Sequence, residues 1–245
     1  MKKSIPVKLR KNEFKFEAEW LEGILQAPFD IPEFKPMWSE IADREKNKHD
    51  ILIRPIKEKE IDPVLSILHK YLFVEYDYYD IVGARVFAEL LAIKRKRMKH
   101  EYFFLGLENG VPVGIANGRI LNEKVNISFH TMAFLRKVNV GALLYYAKNW
   151  YAFELCKNEE FWATFESYNG WILGGLRMAM PTYPWPQYQH ELGGAKVFYL
   201  SKEQWEQEVK DNYLPQLGIT FKPAPQDLIK KNEKFVMPKD EDLEI

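Results

Sequence analysis

Apolar and polar residues follow two different periods along the chain, and the sharpest patterns begin at Ile51. The run ILIRPI alternates and is rich in β-branched residues, which predicts a strand. Apolar residues then recur at helical spacing from Val64 to Leu72, behind Asp62-Pro63, so we expect a helix capped by the aspartate. A second helix is predicted from Ile81 to about Lys99.

The pattern continues with a hairpin around Asn109-Gly110, because both central residues of its tight turn need a positive φ. The elements predicted after it are a strand over Val125–Ala133, a helix over Gly141–Leu155, a strand over Phe161–Glu166, a short helix from about Asn169 and a strand over Ala195–Leu200. The order is therefore strand, two helices, three strands, helix, strand, helix, strand. This order predicts a mixed α/β fold with a largely antiparallel first half and a βαβ crossover.

The two ends of the chain differ from this middle part. Residues 1–50 mix aromatics, charges and prolines, and the charged stretch Glu40–Asp50 is predicted to be a solvated helix or a linker. The tail is charged from about Pro223. We therefore predict an N-terminal extension over residues 1–50 that packs on the main domain, a main domain over 51–205, and a C-terminal extension over 206–245.

Composition narrows the possible classes of protein. Lysine and arginine total 35, and so do aspartate and glutamate, so nothing in the charge favours a nucleic-acid partner. The single cysteine, Cys156, cannot form a disulfide within the chain, and no cysteine and histidine cluster has zinc-ligand spacing, so no metal is expected. No apolar run has the length of a membrane span or a signal peptide, which predicts a cytoplasmic protein with no membrane partner.

The stretch FLRKVNVGALLYY, residues 134–146, carries the most specific chemistry. It joins a strand through a short turn to a helix, and the first amides of a helix have no partners inside it. Asn139 and Gly141 are the residue types that adopt the backbone angles of such a turn, and Arg136 adds charge. The stretch is either a phosphate-binding turn or a charged connection before a buried helix.

The spacing Arg136-x-x-Asn139-x-Gly141-Ala142 resembles the pyrophosphate loop of the GCN5-related N-acetyltransferase (GNAT) superfamily. ILIRPIKEKEID is similar to the family's first strand and helix entry, and NGVPVGIANGRI is similar to its central hairpin. The resemblance runs from Ile51 to Leu200. It implies a GNAT-like α/β (α+β) fold, with a mixed, mostly antiparallel twisted sheet flanked by helices and with N-terminal and C-terminal extensions.

The resemblance also implies roles for the matching positions. The strand before the loop would pair its backbone with the pantetheine arm of acetyl-CoA or another acyl-CoA, and the loop would hold the pyrophosphate. Asn169 would contact the cofactor at the start of the next helix. The implied cofactor-binding residues are Phe129, His130, Thr131, Arg136, Lys137, Val138, Asn139, Val140, Gly141, Ala142 and Asn169.

The chain departs from the family's pattern at positions that bear on catalysis. Asn139 replaces the usual first glycine of the loop. Leu176 lies near the place of the tyrosine that often protonates the departing thiolate, and Thr164 near that of a carboxylate. Glu166, on the same strand face, and His130 are candidate bases, and Tyr168 and Tyr183 are candidate acids.

The stretch VEYDYYD, residues 74–80, is the candidate acceptor site, because the family often places the acceptor beside this loop. Its acids Glu75, Asp77 and Asp80 could hold a cationic amine, and Tyr183 could lie opposite them. A solvated loop is the alternative.

Together these features predict an acyl-CoA-dependent N-acyltransferase. The expected donor is acetyl-CoA, and the expected acceptor is a small amine or a protein amino group that attacks directly. One alternative is a non-catalytic acyl-CoA-binding or scaffold protein on the same fold. Another is an acyltransferase that uses aminoacyl-tRNA on two such folds, for which 245 residues leave too little room. A homodimer is possible by analogy with the family.

Overall fold

A single mixed sheet runs through the structure. The computed structural model describes residues 31–96, 100–165, 167–182 and 197–243. Its strands are β1 Met37–Ala42, β2 Lys48–Pro55, β3 Glu101–Glu108, β4 Val111–Ile120, β5 Val125–Ala133, β6 Glu160–Thr164, β7 Val197–Ser201 and β8 Lys222–Pro223. They lie in the order β7-β6-β5-β4-β3-β2-β1-β8. Neighbouring strands are antiparallel, except that β5 and β6 are parallel.

Helices pack on both faces of this sheet. The α-helices of the described residues are α1 Ile61–Tyr71, α2 Tyr79–Lys94, α3 Val140–Trp150, α4 Tyr168–Gly170, α5 Lys202–Gln204 and α6 Gln226–Lys231, and short 3-10 helices lie at Glu58–Glu60, Tyr76–Tyr78, Pro215–Leu217 and Asp240–Leu243. Three of them, α3, α4 and α5, continue directly into wider π-helical turns over Tyr151–Leu155, Trp171–Leu176 and Trp205–Val209. None of the helices in the described part of the chain is both long enough and apolar enough to cross a membrane.

The two faces of the sheet have separate apolar cores. Ile53 of β2 belongs to the core that contains α3, whereas its neighbour Leu52 belongs to the core that contains α1 and α2. Successive side chains of a strand point to opposite faces, and here both faces are covered. This explains why the run ILIRPI is apolar at nearly every position.

A buried ion pair fixes the connection from β2 to α1. The Nη1 and Nη2 atoms of Arg54 donate to the two carboxylate oxygens of Glu60 at 2.7 and 2.6 Å. Glu60 also accepts from the backbone N of Lys57 at 2.9 Å. Arg54 is 5% exposed and Glu60 is fully buried, so the pair is part of the core.

The predicted order of elements from Ile51 to Leu200 is confirmed, and so is the mixed, mostly antiparallel sheet. Strand β5 has the predicted bounds. Asn109 and Gly110 have φ angles of 53° and 83°, as the predicted tight turn requires.

Three local predictions are wrong. Glu40–Asp50 is neither helix nor linker, because it forms the end of β1, a turn and the start of β2. The Asp43 side chain closes this turn by accepting from the backbone N of Glu45 and of Asn47, both at 2.8 Å. Helix α1 starts one residue before Asp62, so Glu60 and not the aspartate is its N-cap residue. Helix α2 ends at Lys94 rather than near Lys99.

Segments outside the predicted main domain join the same sheet and core. Strand β1 lies within residues 1–50, and β8 pairs with it through Met37 and Pro223. Near the other end, Leu228 and Leu243 are buried in the core beside α1 and α2. The predicted division at residues 50 and 205 stays a prediction.

The feature that positions the site is a separation of β5 from β6. Their parallel pairing ends at Ser128 and Ala163, whereas β5 continues to Ala133 in contact with β4. The two strands therefore form a wedge, whose closed end at Ser128 and Ala163 we call the apex. A register shift leaves Phe129 without a partner on β4, so β5 has a bulge one residue beyond the apex.

Candidate functional site

A cavity of about 620 Å³ fills the wedge between β5 and β6. One wall is residues 128–133 of β5, and the opposite wall is the end of β6 with α4. The loop before α3 lines one end of the cavity. Tyr76 and Asp77 of the α1–α2 connection and Tyr79 at the start of α2 line it as well.

The loop from Arg136 to Gly141 has the geometry of an anion site. Lys137 and Asn139 have φ angles of 63° and 57°, in the left-handed region, and Asn139 is the N-cap residue of α3. The first helical hydrogen bond of α3 runs from Leu143 N to Asn139 O at 3.1 Å. The backbone amides of residues 137–142 donate to no acceptor in the part of the chain that the structure describes. These free amides and the positive end of the helix dipole can hold a phosphate.

Gly141 leaves space in this loop. A Cβ atom added to it would lie 3.9 Å from Ala133 Cβ and 3.9 Å from Leu173 Cδ1. These are the two walls of the wedge, so one methyl group would fit between them and a branched side chain would fill the gap.

Arg136 is held beside the loop by two aromatic rings. Its guanidinium carbon lies 4.4 Å from the centre of the Tyr79 ring and 5.4 Å from that of Tyr76. The Nε and Nη2 atoms of Arg136 are buried and have no hydrogen-bond partner among the described residues. Arg44, Lys137 and Arg177 also line the cavity, so its lining is strongly cationic. An anionic ligand suits this end of the wedge.

Asp77 connects the α1–α2 loop to α4 across the cavity. Its carboxylate accepts from the backbone N of Tyr168 at 3.1 Å and from Asn169 Nδ2 at 2.5 Å. The loop has an unusual backbone at this point, because both Asp77 and Tyr78 have positive φ angles, 49° and 62°. Such conformations persist only when surrounding contacts enforce them, and the contacts with α4 do so here.

The bulge presents His130, whose ring is 14% exposed and lies against the cavity. Its Nε2 atom is 3.2 Å from Glu89 Oε1, and its backbone N donates to Asn117 Oδ1 at 3.2 Å. The other Glu89 oxygen accepts from Asn117 Nδ2 at 2.6 Å. A histidine oriented by a carboxylate in this way can accept a proton from a bound amine.

Lys148 of α3 lies at the apex, and the sequence patterns did not predict it as a site residue. It is fully buried yet lines the cavity. Its Nζ atom donates to Ser128 Oγ at 2.6 Å, His130 O at 2.9 Å and Asn117 O at 3.2 Å. Burial lowers the pKa of Lys148 to about 7, against the opposing effect of Glu89. The one signal in the sequence was a single lysine within the apolar run GALLYYAKNWYAF.

The structure brings most of the predicted cofactor-binding residues to the cavity. Those that line it are Phe129, His130, Thr131, Arg136, Lys137, Asn139, Val140, Gly141, Ala142 and Asn169. Val138 instead points into the core beside α3 and is 3% exposed. Phosphate binding by the backbone amides of the loop does not require the Val138 side chain.

Fewer of the predicted catalytic and acceptor-site residues line the cavity. Asp77 lines the cavity, whereas Glu75 and Asp80 are not among the described residues that line it. The ring of Tyr168 is 70% exposed and lies outside the lining. Glu166 and Tyr183 lie outside the described residues.

Comparisons with known proteins address the fold. No family model matches the sequence, and no curated protein matches it. Among solved structures, RimJ of Mycobacterium smegmatis, in complex with CoA-disulfide, is similar to the chain with a TM-score of 0.50 and 12% identity, over 77% of this chain and 98% of RimJ. The N-acetyltransferase PseH of Campylobacter jejuni, in complex with acetyl coenzyme A, has a TM-score of 0.41 and 19% identity, over 62% of this chain and 98% of PseH. At 12% identity, the likeness to RimJ shows a shared fold and not an activity.

Proposed function

We propose that this chain, whose fold is that of the GNAT superfamily as the sequence predicted, is an acyl-CoA-dependent N-acyltransferase. The observation that carries the proposal is the loop of residues 136–141 at one end of an open wedge in the sheet, where the amides and two guanidinium nitrogens of Arg136 have no hydrogen-bond partner among the described residues. Acetyl-CoA is the proposed donor, and a small amine or a protein amino group is the proposed acceptor.

The residues of the wedge suit an acyl-CoA along its whole length. The free amides of residues 137–142, Arg136 and the other cations match the phosphate groups of the nucleotide end. Beyond the apex, β5 pairs with β4 along one edge only, so its other edge is open to the amides of a pantetheine arm. An arm that follows this edge from the loop leads to the bulge and the apex.

When it is bound, an acyl-CoA supplies an activated acyl group as a thioester. The chain's own residues would hold that group beside the bulge and exclude water from the buried apex. His130, oriented by Glu89, would take the proton from the attacking amine. The backbone amide of the bulged Phe129 would stabilise negative charge on the carbonyl oxygen. Glu166 and Tyr168 remain candidates, although the exposed ring of Tyr168 favours His130 as the group that handles a proton here.

The acceptor would approach beside the α1–α2 connection, as the sequence suggested. Glu75, Asp80 and Tyr183 remain proposed acceptor residues. Asp77 is less suited to that role, because both of its oxygens already accept hydrogen bonds from α4. The homodimer and the cytoplasmic location remain predictions from the sequence.

Two positions favour a second function, that of a non-catalytic acyl-CoA-binding protein. Leu176, near the place of the family's frequent tyrosine, is 57% exposed and offers no proton, and Thr164 takes the place of a carboxylate. Under this alternative the wedge binds acyl-CoA without turnover.

Calorimetric titration of acetyl-CoA and of CoA into the wild-type chain tests the binding site. The same titrations on Arg136→Ala and Gly141→Val should show at least a tenfold loss of affinity, because one removes a charged ligand and the other fills the gap between Ala133 and Leu173. Gly141→Ala is the matched control and should bind within a few-fold of the wild type.

Two results would decide between the alternatives. No binding of either ligand by the wild type would overturn the proposal. Binding, followed by release of free CoA thiol with at least one member of a panel of amines and lysine peptides, would support the enzyme. Binding with no thiol release from any acceptor, and no acetylated product by mass spectrometry, would support the non-catalytic alternative.

A further inference from the structure

The buried amine of Lys148 is a charged group that a structural role alone does not explain. It lies under the bulge at the closed end of the cavity and holds three oxygen atoms at 2.6, 2.9 and 3.2 Å. Its two carbonyl acceptors, Asn117 O and His130 O, belong to the pair of residues at which the register of β4 and β5 shifts. A neutral donor would satisfy these oxygens at a lower cost than a buried ammonium, so the charge itself calls for a further role.

The amine of Lys148 lies beside the bulge, at the apex of the wedge. Two of its acceptors, Ser128 Oγ and His130 O, belong to the residues on either side of the bulged Phe129. Ser128 is also the last residue of β5 that pairs with β6. An arm that runs along the open edge of β5 from the phosphate loop therefore brings its thioester to the amine of Lys148.

We propose that Lys148 is a catalytic residue that stabilises and then protonates the thiolate leaving group during acyl transfer. This inference rests on the proposed function and assigns a proton donor to the reaction. It would take the place of the tyrosine that is missing near Leu176.

The lone pair of the acceptor nitrogen forms a C–N bond with the thioester carbonyl carbon, and the C–S bond breaks with its electron pair on sulfur. The nitrogen gives a proton to His130, and the sulfur takes one from the Lys148 ammonium. The products are an amide and a thiol. Lys148 and His130 exchange protons with solvent once the products leave.

The contacts of Lys148 allow one N–H to turn toward the cavity. Its bond to Asn117 O, at 3.2 Å, is the longest of the three and is the one that the amine can release. Burial lowers the pKa of this amine to about 7, which makes it a far stronger acid than an ordinary lysine. Among the described residues, the titratable groups beside it are Glu89 of α2 and Tyr145 of α3, whose ring centre lies 5.3 Å from Nζ, and its contact with His130 of β5 is with the backbone oxygen.

The test uses CoA itself and needs no acceptor. CoA carrying ¹³C at the carbon next to sulfur is bound to the full chain, and the pKa of its thiol is measured by NMR. A cation beside the sulfur favours the thiolate, so bound CoA in the wild type should have a thiol pKa at least about one unit below that of free CoA. In Lys148→Met the lowering should disappear, because burial without the cation disfavours the thiolate.

Lys137→Met is the matched control, because it removes the same charge from the other end of the same cavity. It should weaken CoA binding and keep the lowered thiol pKa. Glu89, His130 and Tyr145 are unchanged in both variants, so the difference between them isolates Lys148.

The outcomes separate this inference from the proposed function. If CoA does not bind the wild type, the proposed function fails. If CoA binds but its thiol pKa equals or exceeds the value for free CoA, the role of Lys148 is overturned whether or not Lys148→Met folds. A lowered thiol pKa that survives in Lys148→Met would overturn it as well.

Discussion

Glu89 and His130 form a contact between α2 and β5, with 3.2 Å between Glu89 Oε1 and His130 Nε2. Asn117 of β4 completes a ring, because it donates to the other Glu89 oxygen and accepts from the His130 backbone. The histidine is thus fixed at its ring and at its backbone, directly beside the bulge. Its orientation depends on three separate elements of the fold.

Removing the carboxylate of Glu89 should impair turnover more than binding. In Glu89→Ala the His130 ring loses the acceptor that orients it, so we expect kcat to fall by at least about tenfold while the Kd for CoA changes little. Steady-state kinetics with calorimetry would measure both quantities. The exposed Glu123→Ala is the control and should leave kcat unaltered. Equal kcat in Glu89→Ala and the wild type would contradict a role for this contact.

Breaking the ion pair between Arg54 and Glu60 should strongly destabilise the fold. Arg54→Met leaves the fully buried Glu60 without its partner, at a cost of about 3–5 kcal/mol in the free energy of unfolding. Urea denaturation would measure it. The exposed pair of Lys48 and Glu40 offers a comparison, and Lys48→Met should give no measurable change. A double Arg54→Met, Glu60→Met variant should recover part of the loss, since no charge is then left buried.

Glu101 should make the stability of the protein fall as pH rises. Burial, with a smaller contribution from repulsion by Glu89, raises the pKa of Glu101 from 4.5 to about 8. Between these two values the folded state holds a proton that the unfolded state has released, so the free energy of unfolding decreases as pH increases. Denaturation at several pH values should show this slope in the wild type and a flatter one in Glu101→Gln. A slope that Glu101→Gln leaves unchanged would assign the pH dependence to other groups.

Asp77 should control how firmly α4 is held against the α1–α2 loop. Asp77→Ala removes the acceptor for Tyr168 N and for Asn169 Nδ2, so the amides at the start of α4 should exchange with solvent faster. Hydrogen exchange followed by mass spectrometry would show faster exchange in the peptides that contain residues 74–80 and 167–172. The Glu75→Ala variant is the control, because among the described residues it is Asp77 and not Glu75 that bonds to α4, so this change should leave these peptides as in the wild type.

Local sequence patterns were sufficient to predict the secondary-structure elements that surround the site. The Asn109-Gly110 turn, strand β5 and the loop from Arg136 to Gly141 each depend on neighbouring residues whose backbone preferences are strong. Asn139 adopts a left-handed backbone at the N-cap of α3, as its residue type allows. The strand, turn and helix around the loop could therefore be inferred from residue types and spacing.

The chemistry at the apex depends on residues that are distant in the sequence. Lys148 binds Ser128 and Asn117, which precede it by 20 and 31 residues, and Glu89 and His130 are 41 residues apart. The sequence around a lysine in an apolar helix does not indicate which carbonyl groups that lysine will bind. Similarly, the turn within Glu40–Asp50 could not be separated from a linker, because its charged residues pair across a hairpin whose strands are short.

The hydrogen bond from Tyr71 Oη to Leu243 O, at 2.5 Å, joins residues that are 172 positions apart. Helix α1 leaves the ribosome early, and the segment that covers its apolar side is translated last among the described residues. Because Leu243 is fully buried in the same core as Tyr71, that core is complete only after the later segment has been translated. Until then the nascent chain exposes part of an apolar surface, which makes it prone to aggregation and a target for chaperones.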